Sequence, residues 1–176
     1  MQNKSADPLD TVIPEAIRKV VDSGDRELAW TFFVIFSRME CALKRCKYLK
    51  GAAAADWGMF ASEHDEAFNK ESVGDAVAYF LKNPPRKQII DDNDALGWSE
   101  PQNYDNSKPL LAWLLLMIRC TRNNLLHGGK YPLIPISEPS RDRDLLLYSI
   151  SVLLSVMELS PDVKRYFFEN LTDQHQ

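Results

Sequence analysis

The chain has 176 residues, 45% of them hydrophobic and 26% charged, with a formal net charge of −4. That is long enough for one domain with its own core and too apolar for a disordered chain. The mild acidity excludes a protein whose whole surface binds nucleic acid, so any such function must sit in a local basic patch. Helical periodicity dominates, and no clear run alternates apolar and polar residues as a strand would. Pro14 can open a short helix that ends at Gly24. A long helix is predicted from about Asp25 to Lys50, stopped by Gly51. Its inward stripe is Phe32, Phe36, Met39, Leu43 and Cys46, at steps of three and four. Helical stretches follow over about Ala53–Phe68 and Ser72–Lys82, the second ended by Asn83-Pro84-Pro85. Pro85–Ser107 reads as an acidic loop with Trp98 and Tyr104, and loops of that length are usually functional or mobile. Ser107 and Pro109 mark the next helix start. That helix runs to His127 and stops at Gly128-Gly129. Tyr131–Ile136 is a proline-punctuated connector. The last main helix covers about Asp142–Leu159, ended by Ser160-Pro161, and Val163–Leu171 is a short amphipathic piece that packs or frays.

The expected fold class is therefore all-α, an antiparallel helical bundle centred on the two most apolar helices, at 110–127 and 142–159. The chain reads as one domain over 1–176, with a core at about 25–159, the long loop at about 85–107 and a C-terminal tail at 160–176. Cys41, Cys46 and Cys120 are an odd count without paired spacing, and they are read as buried free thiols. The first residues lack the apolar stretch of a signal peptide. The apolar run Leu145–Leu159 is interrupted by serines and is shorter than the ~20 residues that span a bilayer. The expected location is cytoplasmic, without a membrane partner.

Charge is unevenly spread. Arg38–Lys50 holds five basic residues against one acid, Glu40, and Arg119–Lys130 holds three basic residues and no acid, whereas Asp91–Asp105 holds five acids and no base. The first two segments would form a basic groove if they were neighbours. Within the second, Arg122-Asn123-Asn124-Leu125-Leu126-His127 follows directly on the hydrophobic run Leu110–Ile118. Polar groups beside a core usually have partners or a job. Arg122 offers a permanent cation with a planar donor fork, and His127 exchanges protons near neutral pH. The two are five residues apart, about 140° around a helix axis, so one straight helix does not aim both at one atom. Either the helix unwinds at His127 or two copies meet across a two-fold axis. Glu40 either orients Arg122 across the bundle or pairs with Lys44 four residues on.

Arg, four residues, then His, near the end of a late helix, resembles the motif of the HEPN domains (higher eukaryotes and prokaryotes nucleotide-binding). In that family the residue after the Arg is commonly polar, as Asn123 is here. The segment Phe36-Ser37-Arg38-Met39-Glu40-Cys41-Ala42-Leu43-Lys44 is similar to the long early helix of bacterial HEPN proteins, which often carries an acidic residue followed by Leu-Lys. The likeness covers roughly Asp25–Leu159 as a helix pattern, and these two segments carry it residue by residue. HEPN domains are small and α-helical, and many are metal-independent ribonucleases of toxin–antitoxin, abortive-infection and other defence systems. The resemblance implies a two-fold homodimer whose paired motifs form one cleft, RNA as substrate, no cofactor or metal, and an antitoxin or other neutralising protein as a possible partner. With it, Arg122, His127, Asn123 and Glu40 are the candidate catalytic residues, and Arg119, Lys130, Lys44 and Lys47 the candidate RNA-binding cations, the other reading being a plain surface charge at Arg119 and a solvated face over Lys44–Lys50. The alternative expectation is a non-catalytic HEPN module that binds a nucleotide or a protein.

Other chemistries are poorly encoded. Gly128-Gly129-Lys130 lacks the earlier glycine, the following Ser/Thr and the preceding strand of a phosphate loop. His64, His127 and His175 are dispersed, with no metal-binding spacing, and His64-Asp65-Glu66 reads as a polar helix surface. Cys120 lies beside the motif without a local base and reads as a buried thiol.

Overall fold

The structure, a computed structural model, describes residues 25–90, 94–126 and 139–169. These are mostly helical: α1 (Arg26–Arg45), α2 (Trp57–His64), α3 (Gly74–Lys82), α4 (Leu110–Leu126), α5 (Pro139–Met157) and α6 (Pro161–Phe168), with a 3₁₀ turn at Lys70–Val73 before α3. Two small antiparallel sheets accompany them, β1 (Leu49–Lys50) with β2 (Ala54–Ala55), and β3 (Gln88–Ile90) with β4 (Leu96–Trp98).

α1 begins at Asp25, whose carboxylate accepts the Leu28 N–H at 3.2 Å. It buries Phe32, Phe36, Met39 and Leu43 of the predicted stripe, together with Ala42, against α5 and α6, whereas Cys46, the last of that stripe, lies past the helix end and is only half-buried. It stops at Arg45, well before the expected Lys50. Lys47 takes a left-handed conformation, φ 70°. Its N–H returns to the Lys44 carbonyl at 3.0 Å and that of Tyr48 to the Leu43 carbonyl at 3.0 Å. This is the Schellman closure, in which glycine normally holds the left-handed position. Gly51, φ +67°, instead turns the β1–β2 hairpin.

α2 is shorter than the 53–68 expected, because Asp56 caps it by accepting the Met59 N–H at 2.9 Å. His64-Asp65-Glu66 is no plain polar surface. The His64 ring lies 4.5 Å from that of Phe60 and 3.3 Å from the Tyr48 hydroxyl, and Asp65 accepts the Leu111 N–H at 3.0 Å, capping α4 from another element. α4 is sunk in the molecule: Leu111, Leu114, Leu115, Met117 and Ile118 are fully buried, and α5 adds Val152, Leu153 and Val156. The core also extends past the expected limit at Leu159, since α6 contributes Val163 and Phe167. No single described helix is long and apolar enough to cross a membrane.

The expected 85–107 loop carries the β3–β4 hairpin, paired Gln88 with Trp98 and Ile90 with Leu96. Side chains spaced seven and four residues apart along one face of α4 fasten this segment. Trp113 Nε1 donates to the Gln102 carbonyl at 2.8 Å and its ring meets that of Tyr104; Cys120 faces the Pro85 carbonyl; Asn124 Nδ2 donates to the Arg86 carbonyl at 2.8 Å. Arg86 in turn donates to the Ser99 and Trp98 carbonyls, closing the base of the hairpin.

Candidate functional site

The polar end of α4 emerges where its apolar face runs out. Ile118 and Thr121 are buried, Asn124 is buried with its amide spent on the hairpin, and Arg119 and Asn123 are exposed. Arg122 lies between these two environments. Its guanidinium sits 5.3 Å from the centre of the Phe36 ring, its Nη1 donates to Asn123 Oδ1 at 2.9 Å, and its Nη2 is 3.9 Å from Glu40 Oε2. The long helix and the motif helix therefore meet at this point. Phe36 and Glu40 are one turn apart on α1 and present an aromatic face and a carboxylate to one cation.

The magnitude of that pairing decides its meaning. The Arg122 and Glu40 side chains keep 32% and 26% of their exposure. At 3.9 Å and half-wet, the pair is an orienting contact of order 0–1 kcal/mol and no buried lock. A guanidinium has five N–H donors. Among the described residues, one hydrogen bond and one loose ion pair engage it. Glu40 makes its ion pair with Arg122, and none with Lys44 among the described residues.

The basic run on α1 divides by helix face. Arg38 donates to the Phe167 and Glu169 carbonyls, and Arg45 pairs with the Glu169 carboxylate, so both hold the end of α6. Lys44 lies one turn beyond Glu40 on the same face, half-buried, and Lys47 is exposed in the helix-closing turn. His127 and Lys130 lie outside the described residues.

Beside Arg122, a hollow of about 420 Å³ opens between α4 and the hairpin, lined by Lys87, Gln88, Leu116, Arg119, Cys120, Asn123 and Asn124. Asn123 belongs to both places, holding Arg122 and walling the hollow. Burial raises the Cys120 thiol above its ordinary pKa, with the nearby Lys87 charge opposing the shift. The thiol is therefore protonated at neutral pH and is no nucleophile. Cys46 is also raised, chiefly by burial, whereas Cys41 is exposed, contrary to the expectation that all three thiols are buried. Among the described residues, no group of three or more His, Cys, Asp or Glu side chains is placed to hold a metal ion.

Phe36, Lys87 and Gln88 stand at the candidate site and were not singled out for it by sequence reading. Phe36 carried a readable signal, one helical turn before Glu40, but its membership of the apolar stripe hid its second role. Lys87 and Gln88 had none, because only the hairpin brings them to α4. No family model, curated protein or solved structure matches the chain.

Proposed function

We propose that the exposed end of α4 is an RNA-phosphate site and that the protein is a metal-independent endoribonuclease, in the manner of the HEPN domains its motif resembles. The observation that carries this reading is the state of Arg122. It is seated on Phe36, steered by Glu40 and Asn123, and left about one-third exposed. A guanidinium has five N–H donors, and among the described residues one hydrogen bond and one loose ion pair engage this one, which leaves it donors to offer a phosphate.

In the reaction, the 2′-oxygen forms a bond to the adjacent phosphorus as the bond from phosphorus to the 5′-oxygen breaks. His127 of one copy takes the 2′-hydroxyl proton, and His127 of a second copy gives a proton to the leaving 5′-oxygen. Arg122 holds the phosphate and offsets the charge that grows on its oxygens. Arg119, Lys44, Lys47 and Lys130 are the cations proposed to bind neighbouring phosphates. The products carry 2′,3′-cyclic phosphate and 5′-hydroxyl ends. An all-α antiparallel bundle, a two-fold dimer meeting at the motif and a role in bacterial defence or a toxin system, with a neutralising partner, belong to the same proposal.

The apolar half of α4 is consumed within its own chain. Among the described large apolar side chains of α4, only Leu116 keeps substantial exposure, 37%. A dimer through this helix must therefore form at its polar end. Light scattering on the chromatographed protein tests it, and a monomer at high concentration counts against a shared cleft. The decisive experiment incubates wild type and His127→Ala with total RNA in EDTA and maps the product ends. Cleavage by wild type alone, with cyclic-phosphate ends, supports the proposal. Nucleotide binding without cleavage supports a non-catalytic module.

A further inference from the structure

The hollow between α4 and the hairpin has a composition that asks for an anion. Leu116, Arg119, Cys120, Asn123 and Asn124 fall at steps of three, one, three and one, so they form one continuous helix face. Across from them stand Lys87 and Gln88. Two cations, Arg119 and Lys87, share the lining with no carboxylate. Both are exposed, and neither has an ion pair among the described residues. Like charges around one concavity repel until a negative group sits between them. Asn124 already gives its amide to the Arg86 carbonyl, so it fixes the wall and leaves Asn123 and Gln88 to present amides. Leu116 supplies an apolar part of the wall. The volume, about 420 Å³, lies within the ~300–1,000 Å³ of small-ligand pockets.

The position of the hollow matters as much as its lining. Arg119 is three residues before Arg122, so their side chains are neighbours on the helix surface, and Asn123 touches both places. Asn123 therefore joins the Arg122 guanidinium to the wall of the hollow.

We propose that this hollow is a nucleotide subsite for single-stranded RNA, in which Arg119 and Lys87 hold the phosphate next to the one on Arg122. Gln88 and Asn123 offer amides to the base or ribose, and Leu116 gives the base its apolar contact. The inference rests on the reading of Arg122 as an RNA-phosphate ligand. It adds the hairpin as a substrate-binding element.

The test measures binding and cleavage separately. Binding of a short fluorescein-labelled single-stranded RNA is followed by anisotropy across a salt series, with His127→Ala as the parent so that the probe stays intact. Lys87→Gln and Gln88→Ala are added to that parent, and Lys164→Gln, which lies on α6, serves as control. Each phosphate contact on a single strand contributes about −0.7 to the slope of log affinity against log salt, which is about fivefold between ~1 M and ~0.1 M salt. Lys87→Gln is expected to lose that fivefold and flatten the slope by about 0.7. Gln88→Ala is expected to weaken binding with the slope unchanged, and Lys164→Gln to change neither. RNA bound with the parental affinity and slope by Lys87→Gln overturns the subsite, even if wild type cleaves RNA. Lys87-dependent binding by a protein whose wild type cleaves nothing keeps the subsite and removes the nuclease. Absence of RNA binding by the parent removes both.

Discussion

Replacing Arg122 by alanine separates a ligand from a strut. The structure bounds what the fold loses. The ion pair to Glu40 spans 3.9 Å between half-exposed side chains and contributes about 0.5 kcal/mol. The contact with the Phe36 ring at 5.3 Å is worth about 0.5–1 kcal/mol at such exposure. The hydrogen bond to Asn123 joins adjacent residues at the surface and adds a few tenths at most. Together these give about 1–2 kcal/mol, or roughly 3–6 °C of melting temperature for a chain of this size. Removing a positioned group that stabilises transition-state charge costs far more in rate, about 10²–10³. Arg122→Lys keeps the charge, loses the fork, and should fall between wild type and alanine in rate. Urea unfolding and a gel assay on labelled RNA in EDTA, run on the same preparations, give both quantities. An Arg122→Ala protein that loses more than about 4 kcal/mol, the range of a broken buried pair, makes Arg122 part of the scaffold. One that is stable and cleaves at the wild-type rate removes it from the chemistry altogether.

Glu40→Gln keeps the shape and deletes the charge; cleavage should fall about tenfold while stability changes by less than about 0.5 kcal/mol, and equal small effects on both would leave no orienting role. Asn124→Ala strands the Arg86 carbonyl and should cost about 1–2 kcal/mol in urea unfolding, with faster amide exchange at Gln88–Ile90. Lys47→Gly relieves a left-handed side-chain residue and should raise unfolding stability by about 1 kcal/mol; a loss of stability would show that the Lys47 side chain carries packing that outweighs its strain. Tyr48 and Tyr79 are both pushed up from 10.0 to about 12, first by burial, with the Glu63 hydrogen bond adding at Tyr48 and the Asp144 charge at Tyr79. Their phenols ionise more readily in the unfolded chain. Their contribution to stability is therefore complete below pH 10 and is lost as pH rises towards about 12. Ultraviolet titration of wild type against Tyr48→Phe and Tyr79→Phe checks this, and phenol ionisation near pH 10 in the folded protein would refute it.

Helical class and the stripe of α1 were legible because period and burial coincide: Phe32, Phe36, Met39 and Leu43 repeat at helical steps and all point inward. The end of α1 was not, because the stop rests on Lys47, a residue whose sequence gives no hint of a left-handed backbone. Nor were the hairpins. Leu49–Lys50 and Ala54–Ala55 are too short to show alternation, and Gln88–Ile90 finds its partner across Asp94 in a stretch read as loop for its acids. Glu40 was legible as a candidate with two possible partners. Only the approach of α4 to α1 puts Arg122 beside it, and that is tertiary information.

Among the described residues, the contacts that tie the hairpin to α4 lie at one end. Asn124, Cys120 and Arg86 fix its base, whereas Ile90 and Leu96 at the far end are 62% and 60% exposed. Side-chain changes at Ile90 and Leu96 leave in place the bonds that join this segment to the helix carrying Arg122. Change at the outer end of these two strands therefore has a route that leaves Arg122 and its contacts untouched.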